Sequence, residues 1–106
     1  MNRSSLTTLT TVSITHNQPI AALELARACG ADIDWVIQLV EVGIVHGEHT
    51  GQQAGEWYFY STDLQCALEA RRLERDFGVE LEAAALILDL QHEVRRLKAA
   101  LQVQRP

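Results

Sequence analysis

Apolar and polar positions in the first half of the chain follow two short helical periods separated by a tight turn. The first predicted helix runs over 19–28, with Pro19 in its opening turn, Asn17 or Gln18 as cap, and Leu23, Leu25 and Ala26 facing inward. Cys29-Gly30 ends it. Asp32 is a natural N-cap for a second helix over 33–42, where Val36, Ile37 and Val40 share one face and Gly43 supplies a left-handed stop. Upstream, residues 4–15 are β-branched and partly alternating, which predicts a short strand carrying Val12, Ile14 and Leu9. Downstream, Ile44-Val45 and Trp57-Tyr58-Phe59-Tyr60 flank a polar, glycine-containing loop, the pattern of two strands joined by a long hairpin. Trp57 and Phe59 alternate with Tyr58 and Tyr60, so one pair faces the core. A third helix is expected over 63–77, with Ser61, Thr62 and Asp63 as candidate caps. Leu64, Ala67, Leu68 and Leu73 face inward there, and Arg71, Arg72 and Arg75 lie elsewhere. Gly78 stops it.

The last helix, about 80–103, has a different pattern. Ala83, Ile87, Leu90, Val94, Leu97 and Leu101 recur in alternating steps of four and three, the a/d spacing of a coiled coil. Glu80 and Glu82 open the helix and Arg95, Arg96 and Lys98 lie near its end, both suited to the helix dipole. The same pattern also fits an amphipathic helix packed within one chain. Length favours self-pairing, because about 24 residues span roughly 36 Å and the small body before them does not cover that. Ile87, Leu90, Val94, Leu97 and Leu101 are the expected dimer seam. A second stripe, Glu82, Leu86, Asp89 and Glu93 at i, i+4, i+7 and i+11, is offset from it. An exposed leucine among carboxylates suits a docking feature; a solvated face with Leu86 covered by the third helix is the alternative.

Composition narrows the function. The 106 residues are 47% hydrophobic, enough for one modest core. The two cysteines, Cys29 and Cys66, belong to no paired motif and are expected as reduced thiols in a cytoplasmic protein. His46 and His49 lack the two further ligands that zinc needs. Asp76-Phe77-Gly78 has none of a kinase's other signatures, and Gly51 to Gly55 is followed by no Gly-Lys-Ser/Thr. No nucleophile–base set is identifiable, and Cys66 reads as packing. The expectation is a protein without catalytic, metal or cofactor residues, not an enzyme.

The order helix, turn, helix, two-stranded wing, helix suggests a winged helix-turn-helix. Residues 23–45, LELARACGADIDWVIQLVEVGIV, look like the opening of the MerR group. Residues 78–98, GVELEAAALILDLQHEVRRLK, after a wing ending in Trp57-Tyr58-Phe59, are more specific. Together they resemble the CbpM family of chaperone modulatory proteins over roughly residues 10–101. The resemblance implies a mostly α fold: a MerR-like winged helix-turn-helix head with a small β-wing (1–64), then a helical tail (65–106) ending in a long C-terminal dimerisation helix. It also implies a partner, the J-domain of a DnaJ-type, CbpA-like co-chaperone, whose activity such proteins inhibit.

Charge bears on the rival reading, a MerR-like transcriptional regulator that binds DNA. The head carries two basic side chains, Arg3 and Arg27, against seven acidic ones, so the whole net charge of −5 sits there; the tail balances. The second helix offers Asp32, Asp34, Gln38 and Glu41 where a groove-reading helix needs cations and amides. Direct nucleic-acid contact is therefore not expected, nor is a membrane partner. An acidic adaptor suits the basic helix that J-domains present, with Glu82, Leu86, Asp89 and Glu93 as the first candidate surface. The head face of Asp32, Asp34 and Glu41 is the second.

Overall fold

The computed structural model describes residues 18–49, 53 and 56–104. The strand expected within 4–15 lies outside them. Seven elements follow in order: β1 (Ile20–Ala21), α1 (Ala22–Ala28), α2 (Ile33–Glu41), β2 (Glu48–His49), β3 (Trp57–Phe59), α3 (Ser61–Phe77) and α4 (Leu81–Gln104).

The first helix starts later than its sequence pattern suggests. Ile20 and Ala21 are extended and pair antiparallel with β3, Ile20 opposite Phe59 and Ala21 opposite Tyr58. β2 pairs with the other edge of β3, giving the order β1-β3-β2. Local propensity gave way to a ladder whose partner is distant in sequence. The Glu24 carboxylate then accepts the Ala21 N–H at 3.0 Å, satisfying a donor at the helix start. At α2 the expected cap holds: Asp32 Oδ1 accepts the Trp35 N–H at 3.0 Å.

The strand expected at Ile44-Val45 is not formed. Gly43 has φ +82°, and the Ile44 N–H reaches back to the Leu39 carbonyl at 2.9 Å. That bond closes the helix, and Ile44 and Val45 turn into the core as its plug. The wing strand begins only at Glu48. Between them stands Gly47, at φ +59°, where a Cβ would lie 2.5 Å from the Phe59 ring and 2.7 Å from the Tyr58 carbonyl oxygen. Only glycine meets both demands, the backbone angle and the close approach.

α3 begins two residues early, at Ser61, because Tyr60 is its cap position. Asp63 serves that start: Oδ2 accepts the Tyr60 N–H at 3.1 Å, while Oδ1 accepts the His46 N–H at 3.2 Å. One carboxylate thus opens α3 and anchors the chain leading into the wing.

Leu25, Val36, Leu39, Val45 and Phe59 are fully buried and form one core with Ala67, Ala70 and Leu73 of α3 and Leu81, Ala84 and Leu88 of α4. Phe59 points inward, Trp57 is half-buried and Tyr58 is exposed, in accord with the alternation. Two expected core residues are not in it: Leu23 is 45% and Leu68 43% exposed. On α1 the inward face is Ala22, Leu25 and Ala26, and on α3 small residues occupy the contact, which lets the helices approach closely.

Arg71 is not on the solvent side. Its guanidinium lies 5.7 Å from the Trp35 ring centroid, and Nη2 donates to the Gly30 carbonyl at 3.2 Å. Glu74 Oε1 accepts from Trp35 Nε1 at 2.9 Å and from Arg71 Nη1 at 3.4 Å. This cluster ties the α1–α2 turn and α2 to α3, joining the helix-turn-helix to the tail.

Candidate functional site

α4 presents three faces, and the helical period explains each. Leu81, Ala84 and Leu88 are buried against the body. About a third of a turn away, Leu90, Val94, Leu97 and Leu101 form a row that is 49–64% exposed, with Ile87 half-buried at its upper end. The third face carries Glu82, Leu86, Asp89 and Glu93, all exposed. Leu86 is 60% exposed, so α3 does not cover it.

The four members of that stripe are not equivalent. Glu93 is engaged by Arg96 of its own helix, which donates from Nε at 3.2 Å and from Nη2 to the second carboxylate oxygen. The pairing holds the Arg96 guanidinium protonated above its usual range. Among the described residues Glu82 and Asp89 have no hydrogen-bond or ion-pair partner. An incoming cation therefore meets Glu82 and Asp89 as free charges and must compete with Arg96 for Glu93.

The second sequence candidate is in part structural. Asp32 caps α2 through the Trp35 N–H, while Asp34 and Glu41 are exposed. Glu41 joins Glu74, Glu80 and Glu82 around a cavity of about 380 Å³ between the end of α2 and the start of α4. Glu82 belongs to both this cleft and the stripe, so the acidic surface runs from head to tail.

Sequence reasoning missed a groove between α3 and α4. It has a cavity of about 380 Å³ lined by Cys66, Leu68, Leu88, Arg72, His92 and Arg95, with Gln65 and Glu69. A second cavity of about 250 Å³ adjoins it, lined by Asp63, Ala85 and Asp89 and sharing Cys66, Leu88 and His92 with the first. No sequence signal marks it, because it is made by the crossing of two helices and the loop at 43–46. Burial pushes the Cys66 thiol up, Asp63 adds to the effect and Arg95 opposes it. Cys29 is buried more completely, and burial raises its thiol to about 11 despite nearby Arg71. Neither thiol is an activated nucleophile. Among the described residues no group of three or more His, Cys, Asp or Glu stands close enough to hold a metal, and no helix is long and apolar enough to cross a membrane.

A helix-turn-helix with a β-wing and a long trailing helix is the arrangement of MerR-type regulatory proteins, and the family described as MerR HTH family regulatory protein matches residues 20–105. Within that class, the relatives are more specific. The chain is 36% identical over 83 residues to the chaperone modulatory protein CbpM of Pseudomonas entomophila strain L48, covering 76% of this chain and 80% of that one. It is equally similar, over the same shares, to the CbpM of Pseudomonas putida strain W619, and 34% identical to that of strain GB-1. The chain belongs to the CbpM family of chaperone modulatory proteins. No solved structure matches it.

Proposed function

We propose that this protein is a non-catalytic chaperone modulator that binds the J-domain of a CbpA-like co-chaperone in the cytoplasm and inhibits it, acting as a homodimer. One observation carries the docking surface: Leu86 stands exposed on α4 between Glu82 and Asp89, two carboxylates without partners among the described residues. An apolar anchor ringed by uncompensated charge is what a basic amphipathic helix can cover, burying the leucine while its cations pair around the rim. The acidic cleft of Glu41, Glu74, Glu80 and Glu82 extends the same potential toward the head and favours encounter with a basic partner. The dimer reading rests on the row from Leu90 to Leu101, an apolar strip that the body of one chain leaves open. DNA binding is disfavoured by the carboxylates on α2.

The test is a calorimetric titration against the isolated J-domain at about 0.15 M salt, where only nearby charges still interact. Saturable binding near one J-domain per protomer is the expected result. Asp89→Arg with Glu93→Arg is expected to weaken it by about tenfold or more, with an unchanged circular-dichroism spectrum. Asp89→Arg alone should account for most of that loss, since Glu93 is already held by Arg96. Absence of heat and of a complex by a second method would remove the reading.

A further inference from the structure

The groove between α3 and α4 has a floor, two charged ends and an edge in common with the acidic stripe. Its floor is apolar: Cys66, Leu88, and Ala85 at one side. At one end stand the carboxylates of Asp63 and Asp89. At the other stand the guanidiniums of Arg72 and Arg95, with the single carboxylate of Glu69 beside Arg72, so this end keeps a net positive charge. Asp89 is both a member of the exposed stripe and part of the groove wall.

These charges differ in how far they are committed. Both Asp63 oxygens already accept backbone N–H groups, from Tyr60 and His46, so Asp63 contributes field more than a free acceptor. Asp89 has no partner among the described residues and is available. Arg72 makes two long contacts along its own helix, to Glu69 at 3.7 Å and Asp76 at 3.6 Å, both at exposed positions where such pairs are weak. Arg95 has no hydrogen-bond or ion-pair partner among the described residues, and acts on Cys66 only through its field. The groove is therefore polarised, with an anionic end and a cationic end that are open to an incoming chain.

We propose that this groove receives an apolar side chain from the same basic amphipathic helix that covers Leu86, entering past Asp89. The inference rests on the J-domain reading and adds a second anchor point to it. One occupant fits the floor and both ends: a segment with a cation beside its anchor, set against Asp89, and a carboxylate further along, set against Arg95 and Arg72. Like charges at either end would be held apart in a site partly shielded from water, so the polarity also fixes the direction in which the segment lies. A contact confined to the convex stripe buries one leucine. A contact that also fills the groove encloses an apolar side chain on several sides, the environment in which binding energy concentrates.

His92 lines both cavities and is itself exposed, so it can be enlarged with little effect on the fold. His92→Trp is expected to fill the groove and weaken J-domain binding by about tenfold or more in calorimetry. In the unmodified chain, alkylation of Cys66 by a maleimide, followed by mass spectrometry, is expected to slow in proportion to the bound fraction. The buried Cys29 serves as the internal control. Unchanged affinity for His92→Trp, with a Cys66 rate indifferent to the J-domain, overturns the groove while leaving the stripe and the adaptor reading intact. No J-domain binding by the unmodified chain overturns both. A loss with Asp89→Arg and none with His92→Trp assigns the contact to the stripe alone.

Discussion

Two residues show how much of this head depends on single positions. Gly47 combines a left-handed backbone with a contact that a methyl group would violate on two sides, against the Phe59 ring and the Tyr58 carbonyl. The ring is fully buried and cannot withdraw. Gly47→Ala is expected to cost roughly 3 kcal/mol, from strain and from displacement of a core aromatic, measurable as a lower urea midpoint at unchanged slope. Cys29 makes a different prediction. Its folded thiol titrates near 11, above the ordinary value of 9.0, because burial disfavours the thiolate. The unfolded chain loses this proton first as the pH rises. Stability from this group is thus complete below about pH 9 and falls between about pH 9 and 11, by on the order of 2 kcal/mol. Urea unfolding of the wild type and of Cys29→Ala across that interval should show the extra decline only in the wild type.

Among the elements, α4 carries most of the functional argument. Its buried face needs only Leu81, Ala84 and Leu88, so the helix continues well past the body it packs on. The row from Leu90 to Leu101 follows the seam spacing, and the exposure of those side chains in a single chain fits the proposed self-pairing. Leu97→Asp is expected to convert a dimer to a monomer in sedimentation analysis, because a carboxylate would be buried at the centre of the seam. An unchanged mass at micromolar concentration would remove the self-pairing. α3 shows the opposite economy. Its contact face is alanine-rich, Leu68 stands half-exposed in the wall of the groove beside α4, and Arg71 covers Trp35, so the helix serves as a bracket between head and tail. The periodicity of α3 was plain in the sequence, but the choice between Leu68 and Ala70 as the buried side was not.

Across the whole molecule, the fold is that of a helix-turn-helix regulatory family, and its exposed acidic and apolar chemistry fits the proposed protein-binding role. The residues that build the shape are in place: the Asp32 cap, the Gly43 stop, the alternating β3 and the Trp35–Arg71–Glu74 cluster. The basic residues that would grip phosphate are missing from α2, while carboxylates continue from Glu41 to Glu82 and on to Asp89. Helix number and order, the turn between α1 and α2, the position of β3, the seam spacing and the acidic balance were all set by the sequence alone. Each is written in spacing, capping residues or charge within a few turns of chain. The tertiary structure alone decided that Ile20-Ala21 is a strand and that Ile44-Val45 is a core plug. It also decided that Arg71 is half-buried, that Leu86 is uncovered and that a polarised groove lies between α3 and α4. Those features depend on partners brought together from distant parts of the chain: Ile20 with Phe59, Trp35 with Glu74, Cys66 with Leu88 and His92. Local periodicity records which face of a helix is apolar, but only packing determines which neighbour covers it and which face is left for another molecule.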